Sequence, residues 1–125
     1  MKVRTALATL LLSACAAPQP TTSSQQPPSE LVGRTAGAPQ DCVSISQTGS
    51  LRVSENDRHT LLYDSGRTIW ANPLGPSCGF SEDDVLVTEV SGSYYCRGDL
   101  VRSIDRSSHI PGRTCVLSDF VPYRR

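Results

Sequence analysis

Four cysteines, Cys42, Cys78, Cys96 and Cys115, stand far apart in the later two-thirds of this 125-residue chain, and they restrict its fold more than any other feature. A segment this short has room for one small core, so cross-links compensate for surface it cannot bury. Two chemistries use four cysteines. A structural zinc site gathers them in close pairs, and no C-x-x-C occurs here. Paired as disulfides, they allow three connectivities. The choice between thiolate and disulfide turns on whether the chain enters an oxidising compartment.

The amino-terminal residues bear on that choice. Lys2 and Arg4 precede an apolar run over residues 5–12, too short to span a bilayer, and Ser13 and Ala14 form a small-residue cleavage site. With its last residue included, Leu12-Ser13-Ala14-Cys15 resembles the lipobox of bacterial lipoproteins. The resemblance implies that residues 1–14 are a signal peptide that is removed. It implies that Cys15 carries a diacylglycerol and an acylated amino terminus. Ala16 follows the cysteine, so the inner-membrane retention signal of an Asp at that place is absent. The expected address is the outer membrane, lipid-anchored and periplasm-facing, with the inner membrane second. An oxidising periplasm favours two disulfides, and no metal or cofactor is expected.

Residues 15–40 follow as an acylated amino terminus and a tether. Between 16 and 40 there are five prolines, many polar residues and no aromatic, too little apolar surface to offset ordering entropy. This stretch is expected to be disordered, with Leu31-Val32 as its one apolar pair. From 41 to 125 the texture is different. Val43 and Ile45, then Leu51 and Val53, alternate with polar neighbours at the period of a half-buried strand. Thr60-Leu61-Leu62-Tyr63 and Thr68-Ile69-Trp70 flank the turn composition Asp64-Ser65-Gly66-Arg67. Further strand-like runs lie at 85–90, 94–96, 100–104 and 115–121. The expected fold is all-β, a small antiparallel barrel or sandwich of about six to seven short strands held by two disulfides. Of the three pairings, Cys78–Cys96 with Cys42–Cys115 is expected. The first closes a loop across a hairpin read over 85–95, and the second joins the opening and closing strands.

From about Cys42 to Tyr123 the chain resembles a family of small proteobacterial exported proteins and lipoproteins, a four-cysteine domain of unknown function. The resemblance is carried by Cys42 opening a strand, Leu74 ahead of Cys78-Gly79, Cys96-Arg97-Gly98-Asp99 before an aliphatic strand, and Gly112 ahead of Cys115-Val116-Leu117-Ser118-Asp119-Phe120. Ser118 stands where a glycine is expected. The resemblance implies four cysteines and a β-fold, and it implies no catalytic residue.

Past the signal, the chain has ten arginines, twelve acids and no lysine. Guanidinium groups suit carboxylates and phosphates, although a genomic bias toward arginine codons is the simpler account. No basic block points to nucleic acid as a partner. His59 and His109 are the two histidines, and no G-x-S-x-G elbow accompanies them, so a small hydrolase is the third reading. Glu82-Asp83-Asp84 lacks the alternating spacing of a calcium loop and reads as a turn, with Ser81 able to cap a single helical turn. Arg97-Gly98-Asp99 reads as a turn in which Asp99 bonds nearby backbone. Ser91-Gly92-Ser93-Tyr94-Tyr95 is similar to the short S-G-x-x-Y element of periplasmic lysozyme inhibitors. It makes Ser91, Gly92 and Tyr95 the candidate partner-binding residues. The leading expectation is a monomeric, non-enzymatic binding or accessory module that meets the membrane through its lipid and an envelope protein through its surface. The second is an inhibitor of a wall-lytic enzyme.

Overall fold

The computed structural model describes residues 26–125, so the signal peptide, Cys15 and residues 16–25 of the expected tether lie outside the described residues. Ten strands follow in order: β1 (Thr35–Ala36), β2 (Cys42–Ser44), β3 (Ser50–Val53), β4 (Thr60–Asp64), β5 (Thr68–Pro73), β6 (Val85–Glu89), β7 (Tyr94–Cys96), β8 (Leu100–Ile104), β9 (Pro111–Val116) and β10 (Val121–Arg124). The fold is all-β, as the alternation indicated, but in more and shorter pieces than six or seven strands. All pairings are antiparallel. They make a five-stranded sheet β1-β10-β5-β4-β3, a two-stranded sheet β2-β7 and a three-stranded sheet β6-β8-β9. The sheets do not close into a barrel: each of the three keeps two edges without a strand partner, β3 and β6 among them.

The β4–β5 hairpin forms where the turn composition stood. Asp64 Oδ1 accepts the Gly66 N–H at 2.8 Å, Ser65 Oγ donates to the Thr68 carbonyl at 2.9 Å, and Gly66 takes a φ of 87°. That left-handed conformation costs glycine nothing and a branched residue much more. Side chains alternate from this hairpin outward. Leu61, Tyr63 and Trp70 face the principal core with Val43, Phe80, Val101, Leu117 and Phe120. Leu62, Ile69 and Ala71 face the other way and form a second, smaller core.

That second core corrects the tether. Residues 28–40 belong to the fold. A 3₁₀ turn at Ser29–Leu31 lays the buried Leu31 onto Leu62, Ile69 and Ala71, and β1 pairs with β10. Beside it, the Glu30 carboxylate accepts from Arg52 Nη1 at 3.0 Å, Ser54 Oγ at 3.0 Å and the Glu55 N–H at 2.9 Å. A five-stranded sheet with apolar residues on both faces needs cover on both, and this strap supplies it.

The disulfides are Cys42–Cys96 and Cys78–Cys115, which corrects the expected pairing. The reason is topological. The run over 85–95 is no hairpin: β6 pairs with β8, while β7 crosses to β2. Cys42 and Cys96 are thereby directly opposite, with Cα atoms 4.1 Å apart, near the ~4.5 Å of a non-hydrogen-bonded antiparallel pair. Cys115 faces inward from β9, opposite Val101, and meets Cys78 from the loop after β5 at a Cα separation of 6.0 Å.

Candidate functional site

The residues singled out from sequence do not assemble into one site. Ser91 and Gly92 sit exposed in the turn between β6 and β7, with Gly92 at a φ of 83°. Tyr95 points the other way. It is cross-strand partner to buried Val43, and its ring centroid lies 5.1 Å from that of Tyr63 in the principal core. Its neighbour Tyr94 is the displayed aromatic, 54% exposed. A two-residue period puts Tyr94 outside whenever Tyr95 is inside. The Ser91–Tyr95 element is thus split, with its serine at the surface and its tyrosine in packing.

The other candidates are held by local bonds. Arg97 lies between Asp119, 3.1 Å from Nη1, and Asp41, 3.4 Å from Nη2. Gly98 takes a φ of 95°, and Asp99 Oδ2 accepts the Cys96 N–H at 2.8 Å, as read from sequence. The His59 Nδ1 lies 2.6 Å from the Cys78 carbonyl oxygen. Asp57, two residues away, spends its carboxylate on the His59 N–H and the Thr60 hydroxyl. His109 sits exposed at a φ of 58° in a turn organised by Asp105. That carboxylate accepts from the backbone and hydroxyl of Ser108 and the backbone of Ser107, which holds it below its ordinary range. Ser81 to Asp84 form a hydrogen-bonded turn, with Asp84 Oδ2 accepting the Ser81 N–H at 2.9 Å.

Two features are displayed on the surface. The first is the outer face of the three-stranded sheet. Val85, Val87 and Glu89 of β6 stand opposite Ile104, Arg102 and Leu100 of β8, and Leu100 stands opposite Val116 of β9. Val87 is 40% exposed and Val116 56%, with Val85, Leu100 and Ile110 also exposed nearby. One ion pair, Arg102 to Glu89, lies among them. The inner face of the same strands carries Val101, Ser103 and Cys115, all buried, so alternation alone commits the other set to solvent. Scattered surface valines are ordinary, but several exposed aliphatic side chains around one ion pair on a single sheet face give the mixed apolar and polar character of contact surfaces.

The second is the opening between the unpaired edges β3 and β6. Two adjoining clefts of about 400 and 330 Å³ share Val53 and Glu82, with Phe80 and Leu86 as apolar walls. Arg58 and Arg106 face Glu82, Asp83 and Asp84 around them. Neither feature is legible along the sequence, since each depends on which strands end up as neighbours. The alternation Val85-Leu86-Val87 held the one available hint, an apolar residue on each face. Among the described residues no group of three or more metal-ligating side chains is gathered, and no helix is long and apolar enough to cross a membrane. Compared with known protein families, with characterised proteins and with solved structures, the chain shows no significant match.

Proposed function

We propose that this chain is a lipid-anchored, periplasm-facing accessory module of the bacterial envelope that works by binding a protein partner. The observation that carries the reading is the exposed apolar face built from Val85, Val87, Leu100 and Val116. Burying such a face against a partner contributes roughly 25 cal/mol per Å² of apolar area before the costs of association. Rigid strands present it without ordering entropy, and cross-strand neighbours hold each valine in place. The lipobox-like Leu12-Ser13-Ala14-Cys15 supports the address, and Ala16 supports the outer membrane over the inner. Anchorage raises the effective concentration of the domain for other envelope proteins, so a modest contact suffices.

The test is affinity capture of the acylated protein from its own membranes after cross-linking. Val87→Glu and Val116→Glu each place a carboxylate on the apolar face, and each is expected to abolish recovery of the captured partner while the fold is kept. Glu82→Gln, in the cleft, is expected to change nothing. Equal partner recovery by wild type and both valine variants would overturn the reading.

A further inference from the structure

We propose that the end of the five-stranded sheet that carries Arg34, Arg67, Arg124 and Arg125 is a binding site for a phosphate group. Register brings Arg34, Arg67 and the consecutive Arg124-Arg125 to one end of the sheet from three separate parts of the sequence. Arg124 pairs with Thr68 across β10–β5, next to Arg67 in the β4–β5 turn. On its other side Arg124 pairs with Thr35 of β1, next to Arg34. Arg34 reaches over the turn, donating from Nη1 to the Arg67 carbonyl at 3.2 Å and from Nη2 to the Gly66 carbonyl at 3.5 Å. Its Nε–H is buried without a hydrogen-bond partner. Arg67, Arg124 and Arg125 are exposed.

None of these four guanidinium groups has a carboxylate partner among the described residues. The nearby acid, Asp64, is already committed to the Gly66 N–H and to Arg52. Several of the chain's acids lie at the other end of the sheet. Glu55 and Asp57 lie beyond β3, and Glu82 and Asp83 share a cleft with Glu55. The arginine end is therefore a local excess of positive charge on a domain that has more acids than bases. Such segregation favours an anion from outside, and the planar guanidinium fork matches the oxygens of a phosphate.

A cavity supplies the seat. About 320 Å³ opens beside Arg124, the one arginine that lines it, with Gln47, Ser65, Thr68 and Trp70, so hydroxyl and amide groups stand next to a single guanidinium and Arg67 lies in the adjoining turn. The volume fits a phosphate with a small polar group attached. The described chain enters the fold near Asp57 and His59, at the opposite end of the sheet.

Trp70 is the sole tryptophan and lines this cavity, so its fluorescence reports on the site. The full acylated chain in neutral detergent micelles is titrated with inorganic pyrophosphate and with glycerol phosphate at constant ionic strength. A saturable fluorescence change is expected, weakened about tenfold in Arg67→Gln and in Arg124→Gln and unchanged in Arg106→Gln, which lies at the cleft between β3 and β6. Circular dichroism verifies that each variant is folded. Phosphatidylglycerol mixed into the micelles separates the sources. Tighter binding there than to glycerol phosphate assigns the site to a lipid headgroup, and equal binding assigns it to the phosphate alone. No saturable change, the same change with sodium chloride, or wild-type titration by both arginine variants would overturn the proposal.

Discussion

Glu30 shows how much one side chain decides in this fold. It stands in a stretch whose composition reads as linker, yet its carboxylate gathers donors from Arg52, Ser54 and Glu55 and ties the strap to β3. Burial works against the charged form. The N–H groups of Glu55 and of Glu30 itself, the Ser54 hydroxyl and the Arg52 charge outweigh it and hold the acid below its ordinary value of 4.5. A carboxyl lowered on folding contributes stability that is present above the unfolded value and lost as pH falls through the lower folded one. Thermal stability is therefore expected to fall below about pH 4.5. Glu30→Gln should flatten part of that acid limb and cost about 1 kcal/mol at pH 7, a figure kept small because Arg52 is partly solvent-facing. Melting curves from pH 7 to pH 3 test this, and an acid limb of unchanged depth in the variant would refute it. Tyr63 makes the opposite case: burial pushes its phenol well above the ordinary range, favouring the neutral form within the core.

At the scale of elements, short strands make the cross-links matter. β2 and β7 form a sheet of their own, three residues each, and an isolated two-stranded ribbon is marginal in water. Cys42–Cys96 holds that pair in register, and Cys78–Cys115 fastens the loop after β5 to β9. Their sequence separations of 54 and 37 residues correspond in the chain-entropy model to about 4 kcal/mol for each. Non-reducing peptide mapping is expected to yield the Cys42–Cys96 and Cys78–Cys115 peptides, and a Cys78–Cys96 peptide would contradict this topology. Cys42→Ser with Cys96→Ser should lower stability by several kcal/mol, measured by chemical denaturation under oxidising conditions. The resulting loss should reach the Tyr63–Tyr95 contact, since β7 carries one of its rings.

For the whole molecule the central question is where it is held and what it meets. The lipobox-like segment makes Cys15 the proposed anchor, and a single acyl chain holds a protein only marginally, so two or more chains are required. Cys15→Ser is expected to leave an uncleaved precursor without palmitate label, and equal labelling of variant and wild type would refute acylation. With Leu31 and β1 docked on the sheet, the folded domain begins near Pro28, and any free tether is shorter than the composition of residues 16–40 suggested. The apolar outer face of β6-β8-β9 and the arginine end of the five-stranded sheet are separate surfaces, so a partner protein and an anion need not compete. The charge arrangement has its own consequence. Arginines without carboxylate partners among the described residues, at one end of the five-stranded sheet, draw that end toward a negatively charged surface.

Much of the local architecture was legible in the residues. Asp64-Ser65-Gly66-Arg67 announced its turn, and Asp99 announced its backbone bond, because in both cases the partner groups lie within three residues. Alternation announced strands for the same reason: period is a property of neighbours along the chain. What failed were the pairings. Nothing near Ser91-Gly92 says that β7 leaves β6 and crosses to β2, so the hairpin, the disulfides and the display of Tyr95 were misread together. Leu31 and Glu30 looked like linker because one apolar and one acidic residue acquire meaning only against a sheet that waits for them. Arg34, Arg67 and the Arg124-Arg125 pair are distant along the chain and reach one end of the sheet through the register of β1, β10 and β5. The sequence by itself determined the all-β class, most of the central strands, the Asp64–Arg67 turn and four cysteines free to pair. Tertiary structure alone decided which edges, faces and charges would meet, because long-range contacts are chosen by the packing of a whole core and leave no mark on any short stretch of chain.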